Sequence, residues 1–138
     1  MSSDDRIYRL GDLQLAIMKV LWRLGAATVA DVHEQLSPLR LAYTTVATML
    51  RKMEDRGLVA HSEPSGEGQG RRFVFRPLAT EQEVTRGMTD DLVDRLFDGN
   101  LASTVSHLLE AREISPAELD QIEQTIRRHK RSRKRGAS

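Results

Sequence analysis

The chain has 138 residues, of which 39% are apolar, with 21 Lys+Arg against 20 Asp+Glu and no cysteine. That length holds one or two small domains, and the missing cysteines exclude disulfides, thiolate metal sites and a cysteine nucleophile, which fits a cytoplasmic protein. No run of about 18 apolar residues occurs, so no membrane insertion is expected, and the opening MSSDDRIYRL lacks the apolar region of a secretory signal.

Leu13, Ile17, Val20, Leu21 and Leu24 recur at helical spacing, so residues 12–24 read as an amphipathic first helix. Trp22 reads as a core anchor, and Gly25 stands where a helix-ending glycine belongs. Thr28 through Ser37 reads as a shorter second helix with Val29, Val32 and Leu36 inward. Thr28 caps it, with Asp31 three residues on as the reciprocal partner. Ser37-Pro38 breaks the chain, because proline disfavours helical geometry in the residue before it.

The third helix starts at about Tyr43 and stops at Gly57. Val46, Met49, Leu50 and Met53 make one apolar stripe, while Thr44, Thr45, Thr48, Arg51 and Lys52 fall on the other side. Short hydroxyl residues followed one turn later by cations suit a DNA groove: threonine lets the backbone approach base edges and phosphates, and arginine or lysine adds charge and reach. The alternative is an ordinary solvated face. Tyr43 either packs on the second helix or donates its hydroxyl to a phosphate. Arg9, ahead of the first helix, is a weaker phosphate contact.

The periodicity then changes from 3.6 to 2. Residues 58–63 read as a strand, 64–70 as a glycine-rich turn, and 71–76 as a second strand with Phe73 and Phe75 on one face. Three helices followed by a hairpin is the winged-helix arrangement. Arg71 and Arg72 at the wing exit fit phosphate or minor-groove contact. Their other reading is protection of an edge strand against strand addition.

Thr80-Glu81-Gln82-Glu83 is a capping box that opens a helix over about 81–97, with Val84, Met88, Leu92 and Leu96 along one side. Leu101, Val105, Leu108 and Leu109 mark a fifth helix. Ser115-Pro116-Ala117-Glu118 caps a sixth that carries Leu119, Ile122 and Ile126. About 50 residues with such narrow stripes bury little alone. These positions either pack back on the winged helix or, the favoured reading, form a dimerisation surface whose apolar face is completed by a second copy.

Charge is segregated along the chain. Residues 1–79 carry net +2, residues 80–126 net −8, and RRHKRSRKR at 127–135 net +7. The organisation expected is a winged-helix DNA-binding domain over 1–79, a helical dimerisation domain over 80–130, and a basic, disordered tail over 131–138. The fold class is mostly α with a small β-wing. The tail either adds nonspecific DNA affinity or complements the last helix dipole. His33, His61, His107 and His129 are scattered, Asp90, Asp91 and Asp94 read as a solvated face, and no catalytic or metal-ligating constellation is present. No cofactor is expected.

The first helix carries Leu10-Gly11-Asp12-Leu13 and Ile17-Met18-Lys19-Val20-Leu21-Trp22. The second carries Thr28-Val29-Ala30-Asp31-Val32, and the third carries Ala42-Tyr43-Thr44-Thr45-Val46-Ala47-Thr48-Met49-Leu50-Arg51-Lys52-Met53, with Gly57-Leu58-Val59 after it. In these segments the chain resembles the BlaI/MecI family of bacterial penicillinase repressors, over about residues 8–126. The resemblance implies a homodimeric repressor, an N-terminal winged helix and a three-helix dimerisation region. It also implies a pseudo-palindromic double-stranded DNA operator, often built on TACA/TGTA half-sites near β-lactamase or related genes, and an upstream sensor or protease as a further partner. Two departures stand out. His107-Leu108 occupies the place of the Asn-Phe bond that is cut in family members released by proteolysis, and the cysteine-rich end of copper-responsive members has no counterpart. The rival reading from another class is a winged-helix protein–protein module without specific DNA binding.

Overall fold

The computed structural model describes residues 10–63 and 73–136. Helix α1 spans Asp12–Leu24 and buries Ile17, Met18, Val20 and Leu21, the stripe expected from the spacing. Gly25 ends it at φ 85°, donating its N–H to the Leu21 carbonyl at 2.7 Å. A side chain there would strain the backbone, so glycine is the residue that lets the chain leave the helix.

Helix α2 spans Val29–Gln35 and stops short of the expected Ser37; Ser37–Leu39 instead forms a single 3-10 turn around Pro38. The Thr28 and Asp31 side chains accept from each other's backbone N–H, both at 3.1 Å, so the reciprocal cap forms as its sequence implies. Helix α3 spans Tyr43–Asp55. Gly57, at φ 80°, then turns the chain toward the sheet, with Leu58 N–H donating to the Met53 carbonyl at 2.9 Å.

Strand β1 is Ala27–Thr28, β2 is Val59–Ser62 and β3 is Val74–Pro77; they form one antiparallel sheet in the order β1-β3-β2. The hairpin strands β2 and β3 pair His61 with Phe75 and Ser62 with Val74. Strand β1 was not expected, because two residues cannot display a period of 2; only their pairing to Val74 and Phe75 defines them. Thr28 thus caps α2 and also pairs with β3. Because β3 is central, the strand that follows Arg71 and Arg72 is not an edge along its described length.

The core gathers Ile17, Met18 and Leu21 of α1, Val32 of α2, Val46, Leu50 and Met53 of α3, and Leu58 and Val59 at the start of the hairpin. Trp22 packs partly buried against it, and its indole N–H donates to the Ala79 carbonyl at 2.9 Å. Helix α4 spans Glu81–Phe97, with Thr80 Oγ1 and the Glu83 carboxylate accepting from each other's backbone N–H at 3.1 and 2.9 Å. Its Val84 belongs to this same core and Met88 packs on it. Val84, 1% exposed, therefore turns inward and not onto the expected dimerisation surface, while Met88 stays half-buried.

The chain divides into two compact units, Met1–Leu92 and Val93–Ser138, with the boundary inside α4. In the second unit, α5 spans Leu101–Ala111 and α6 spans Pro116–Gly136. Asn100 caps α5, its Oδ1 accepting from Ser103 N–H at 3.0 Å, and Ser115 Oγ caps α6 by accepting from Glu118 N–H at 3.1 Å. The basic run is not a disordered tail along its described residues: α6 continues through it to Gly136. Arg127 reaches the Glu123 carboxylate at 3.8 Å, Arg128 donates to Thr125 Oγ1 at 3.0 Å, and cations at a helix C-terminus oppose its dipole favourably. Among the described residues of this unit, Thr104 alone is buried, while Leu96 and Leu101 are 69% and 65% exposed.

Leu50→Ala is expected to destabilise the first unit by about 2–5 kcal/mol, the range for a fully buried leucine. Urea unfolding followed by the fluorescence of Trp22, the sole tryptophan, measures it. A loss below about 1 kcal/mol would contradict the central place of Leu50 in the core.

Candidate nucleic-acid interface

Burial divides α3 cleanly. Val46, Leu50 and Met53 are 0% exposed, whereas Tyr43, Thr44, Thr45, Thr48, Arg51 and Lys52 are all exposed. Positions 44, 48 and 51, and 45, 48 and 52, follow the helical repeat, so the hydroxyls and cations share one side of the cylinder. Among the described residues neither Arg51 nor Lys52 has a carboxylate partner. Their charges are therefore available to a polyanion.

Three contacts fix how this helix is presented. At its N-terminal end, the Tyr43 ring meets the His33 ring of α2 edge-on at 5.8 Å, and His33 Nε2 lies 2.8 Å from the Leu41 carbonyl. A carbonyl only accepts, so that nitrogen carries the proton. Tyr43 thus packs on α2 while remaining 50% exposed. In the last turns, Gln14 of α1 accepts from Arg56 Nη1 at 2.7 Å and from Gly11 N–H at 3.2 Å, and its amide lies 3.6 Å from Met49 Sδ.

The third contact joins the helix to the wing. His61 Nδ1 lies 2.7 Å from Glu54 Oε2, and the His61 backbone N–H donates to the same oxygen at 3.2 Å. The His61 ring also meets Phe73 edge-on at 4.9 Å and Phe75 at 5.7 Å. One carboxylate near the end of α3 therefore holds β2, and through the imidazole it braces Phe75 of β3 and Phe73 just before it. Gln14 and Arg56 belong to no motif in the sequence, and His33 and His61 stand apart from one another along it. Their partners are distant in sequence or lie across a helix-to-strand turn, so no spacing rule links them.

Arg9, Arg71 and Arg72 lie outside the described residues. Of the expected dimerisation residues, Leu92, Leu96, Leu101, Leu108, Leu109, Leu119 and Ile126 are exposed, and Val105 and Ile122 are half-buried. A groove of about 410 Å³ in the second unit is lined by Val105, Leu108, Leu109, Ile114 and Ile122, with Arg112, Glu113 and Glu118 also contributing. Among the described residues there is no cluster of three metal-ligating side chains, and no helix is long and apolar enough to cross a membrane.

Three helices, a three-stranded sheet and an outward third helix bearing hydroxyls and cations define a winged-helix regulator. The penicillinase repressor family model matches residues 10–128. The chain is 27% identical to the penicillinase repressor of Bacillus licheniformis over 130 residues, covering 94% of this chain and 98% of that protein. It is 35% identical to the transcriptional regulator BlaI of Mycobacterium tuberculosis over 108 residues, covering 76% and 75%. A crystal structure of NadR in complex with 4-hydroxyphenylacetate is similar at 17% identity and a TM-score of 0.47, over 86% of this chain and 73% of that one. The chain belongs to the penicillinase repressor family, a family of transcriptional repressors and not of enzymes.

Glu54→Ala removes the acceptor shared by the His61 ring and backbone. We expect a stability loss of about 1 kcal/mol, the scale of one net hydrogen bond, read as a lower urea midpoint. An unchanged midpoint would mean that the contact between α3 and β2 does no stabilising.

Proposed function

We propose that this repressor acts as a homodimer that binds a pseudo-palindromic DNA operator with α3 in the major groove. The observation that carries this reading is the exposed row Thr44, Thr45, Thr48, Arg51 and Lys52, opposite the fully buried Val46, Leu50 and Met53. The threonines stand near base edges and phosphates, and Arg51 and Lys52 hold the backbone, with Arg71, Arg72 and Arg9 adding phosphate contacts. Tyr43 offers its hydroxyl at the helix start. Genes for β-lactamase or related functions are the proposed targets, in the cytoplasm.

Dimerisation is supported by the second unit. It has almost nothing buried among its described residues, yet it presents Leu96, Leu101, Leu108, Leu109, Leu119 and Ile126 to the surface. Apolar area of that kind is stabilised by removal from water, and a second copy with the same stripe supplies the cover. Two α3 helices on one two-fold axis then read half-sites about one helical turn, or a multiple, apart.

Arg51→Ala is expected to weaken binding to the gene's own upstream region and to lower the salt slope by about 0.9, one phosphate's share. Fluorescence anisotropy across a salt series measures both. Equal, weak binding of upstream and random DNA by the native chain would instead favour a protein–protein module.

At low micromolar concentration, light scattering is expected to give about twice the 15.6 kDa chain mass. Leu108→Asp, which places a charge beside the apolar groove of the second unit, is expected to shift that mass toward one chain. A variant that stays dimeric would remove this face from the interface.

A further inference from the structure

The C-terminal half of α6 carries a feature that the proposed operator contact does not use. The apolar stripe of α6, Leu119, Ile122 and Ile126, ends at Ile126, and residues 127–135 contain seven cations and no acid. Because this segment is helical, the helix repeat sets where the described cations leave its axis. Arg127, Lys130, Arg131 and Lys134 follow the i, i+3, i+4, i+7 repeat and so form one row, about 10 Å long at 1.5 Å per residue. Arg127 and Arg128 are tied back to Glu123 and Thr125. Lys130, Arg131, Arg133 and Lys134 are exposed and have no partner among the described residues.

Like charges four apart repel and cost a helix a few tenths of a kcal/mol per pair; 127 with 131 and 130 with 134 are two such pairs. A row that opposes its own helix in this way is relieved by an anion lying along it. We propose that the C-terminal part of α6 is a second, sequence-independent binding surface for the phosphate backbone of duplex DNA. Charge complementarity argues for the ligand: closely spaced phosphates match a row of cations, and their binding releases counterions. An anionic membrane is the less suited partner, because residues 127–134 include no Trp, Tyr, Phe or large aliphatic side chain to enter the interface. This goes beyond the operator reading and does not depend on it, since it needs neither α3 nor a particular sequence.

The test uses the full chain and a variant with Lys130→Gln, Arg131→Gln, Arg133→Gln and Lys134→Gln together; glutamine keeps the helix propensity. Binding to a random 30-base-pair duplex is measured by anisotropy over a salt series, with circular dichroism confirming that the helix persists. The slope of log K against log salt is expected to fall in magnitude by about 0.9 for each phosphate lost, so by up to about 3.6 per chain. An unchanged slope would overturn the proposal. So would tighter binding of the native chain to phosphatidylserine vesicles than to the duplex, with the vesicle binding lost in the variant. The operator reading is judged separately, by the ratio of upstream to random DNA affinity. That ratio is expected to survive in the variant while both affinities drop, and a native ratio of one would sink the operator reading without touching the slope difference.

Discussion

Val46, Leu50 and Met53 are fully buried between α3 and the remainder of the first unit, and their burial decides which side of α3 faces out. A helix can be rotated about its axis at little local cost. Burying a full apolar stripe removes that freedom, because a turn of one residue, about 100°, would expose leucine or methionine and bury threonine or arginine. The threonine and arginine row is thus aimed by residues that never reach the surface. The same constraint keeps α1 and α2 in place, since their inward residues meet that stripe.

Orientation along the axis needs more than apolar contact, which is non-directional. It comes from polar contacts at both ends: the pairing of Gln14 with Arg56, the contact of His33 with Tyr43, and the grip of Glu54 on His61. The last joins α3 to the wing, so the wing's base is referenced to the helix and not only to the sheet. Strand β1 contributes in the same sense. Thr28 ties the start of α2 to β3 through a pairing and a cap made by one residue.

The second unit is organised differently. Its helices are well capped, by Asn100 and Ser115, and their periodicity is clear, yet they enclose almost nothing. Capping and propensity can specify where helices begin, but a core needs enough apolar area facing inward. In the first unit Val84 and Met88 found that area within the chain; the residues beyond did not. Helix α6 shows both regimes in one element, an apolar stripe that ends at Ile126 and a cationic row after it.

The helix starts, the three capping boxes or caps at Thr28, Thr80 and Ser115, the stop at Gly57 and the division of α3 into two faces were all legible in the sequence. Each rests on residues within a turn or two of one another, where spacing alone sets geometry. Strand β1, the burial of Val84 in the first unit, and the pairings of Gln14 with Arg56 and Glu54 with His61 were not legible. The helical state of the basic run was hidden as well, because composition counts its charges without placing them. These features depend on which surfaces meet after the chain has folded, and no local pattern encodes that. The sequence by itself determined what each element is and which side of it prefers water. The tertiary structure decided which elements share a core, which polar groups meet to aim α3, and which apolar residues stay exposed on the described surface.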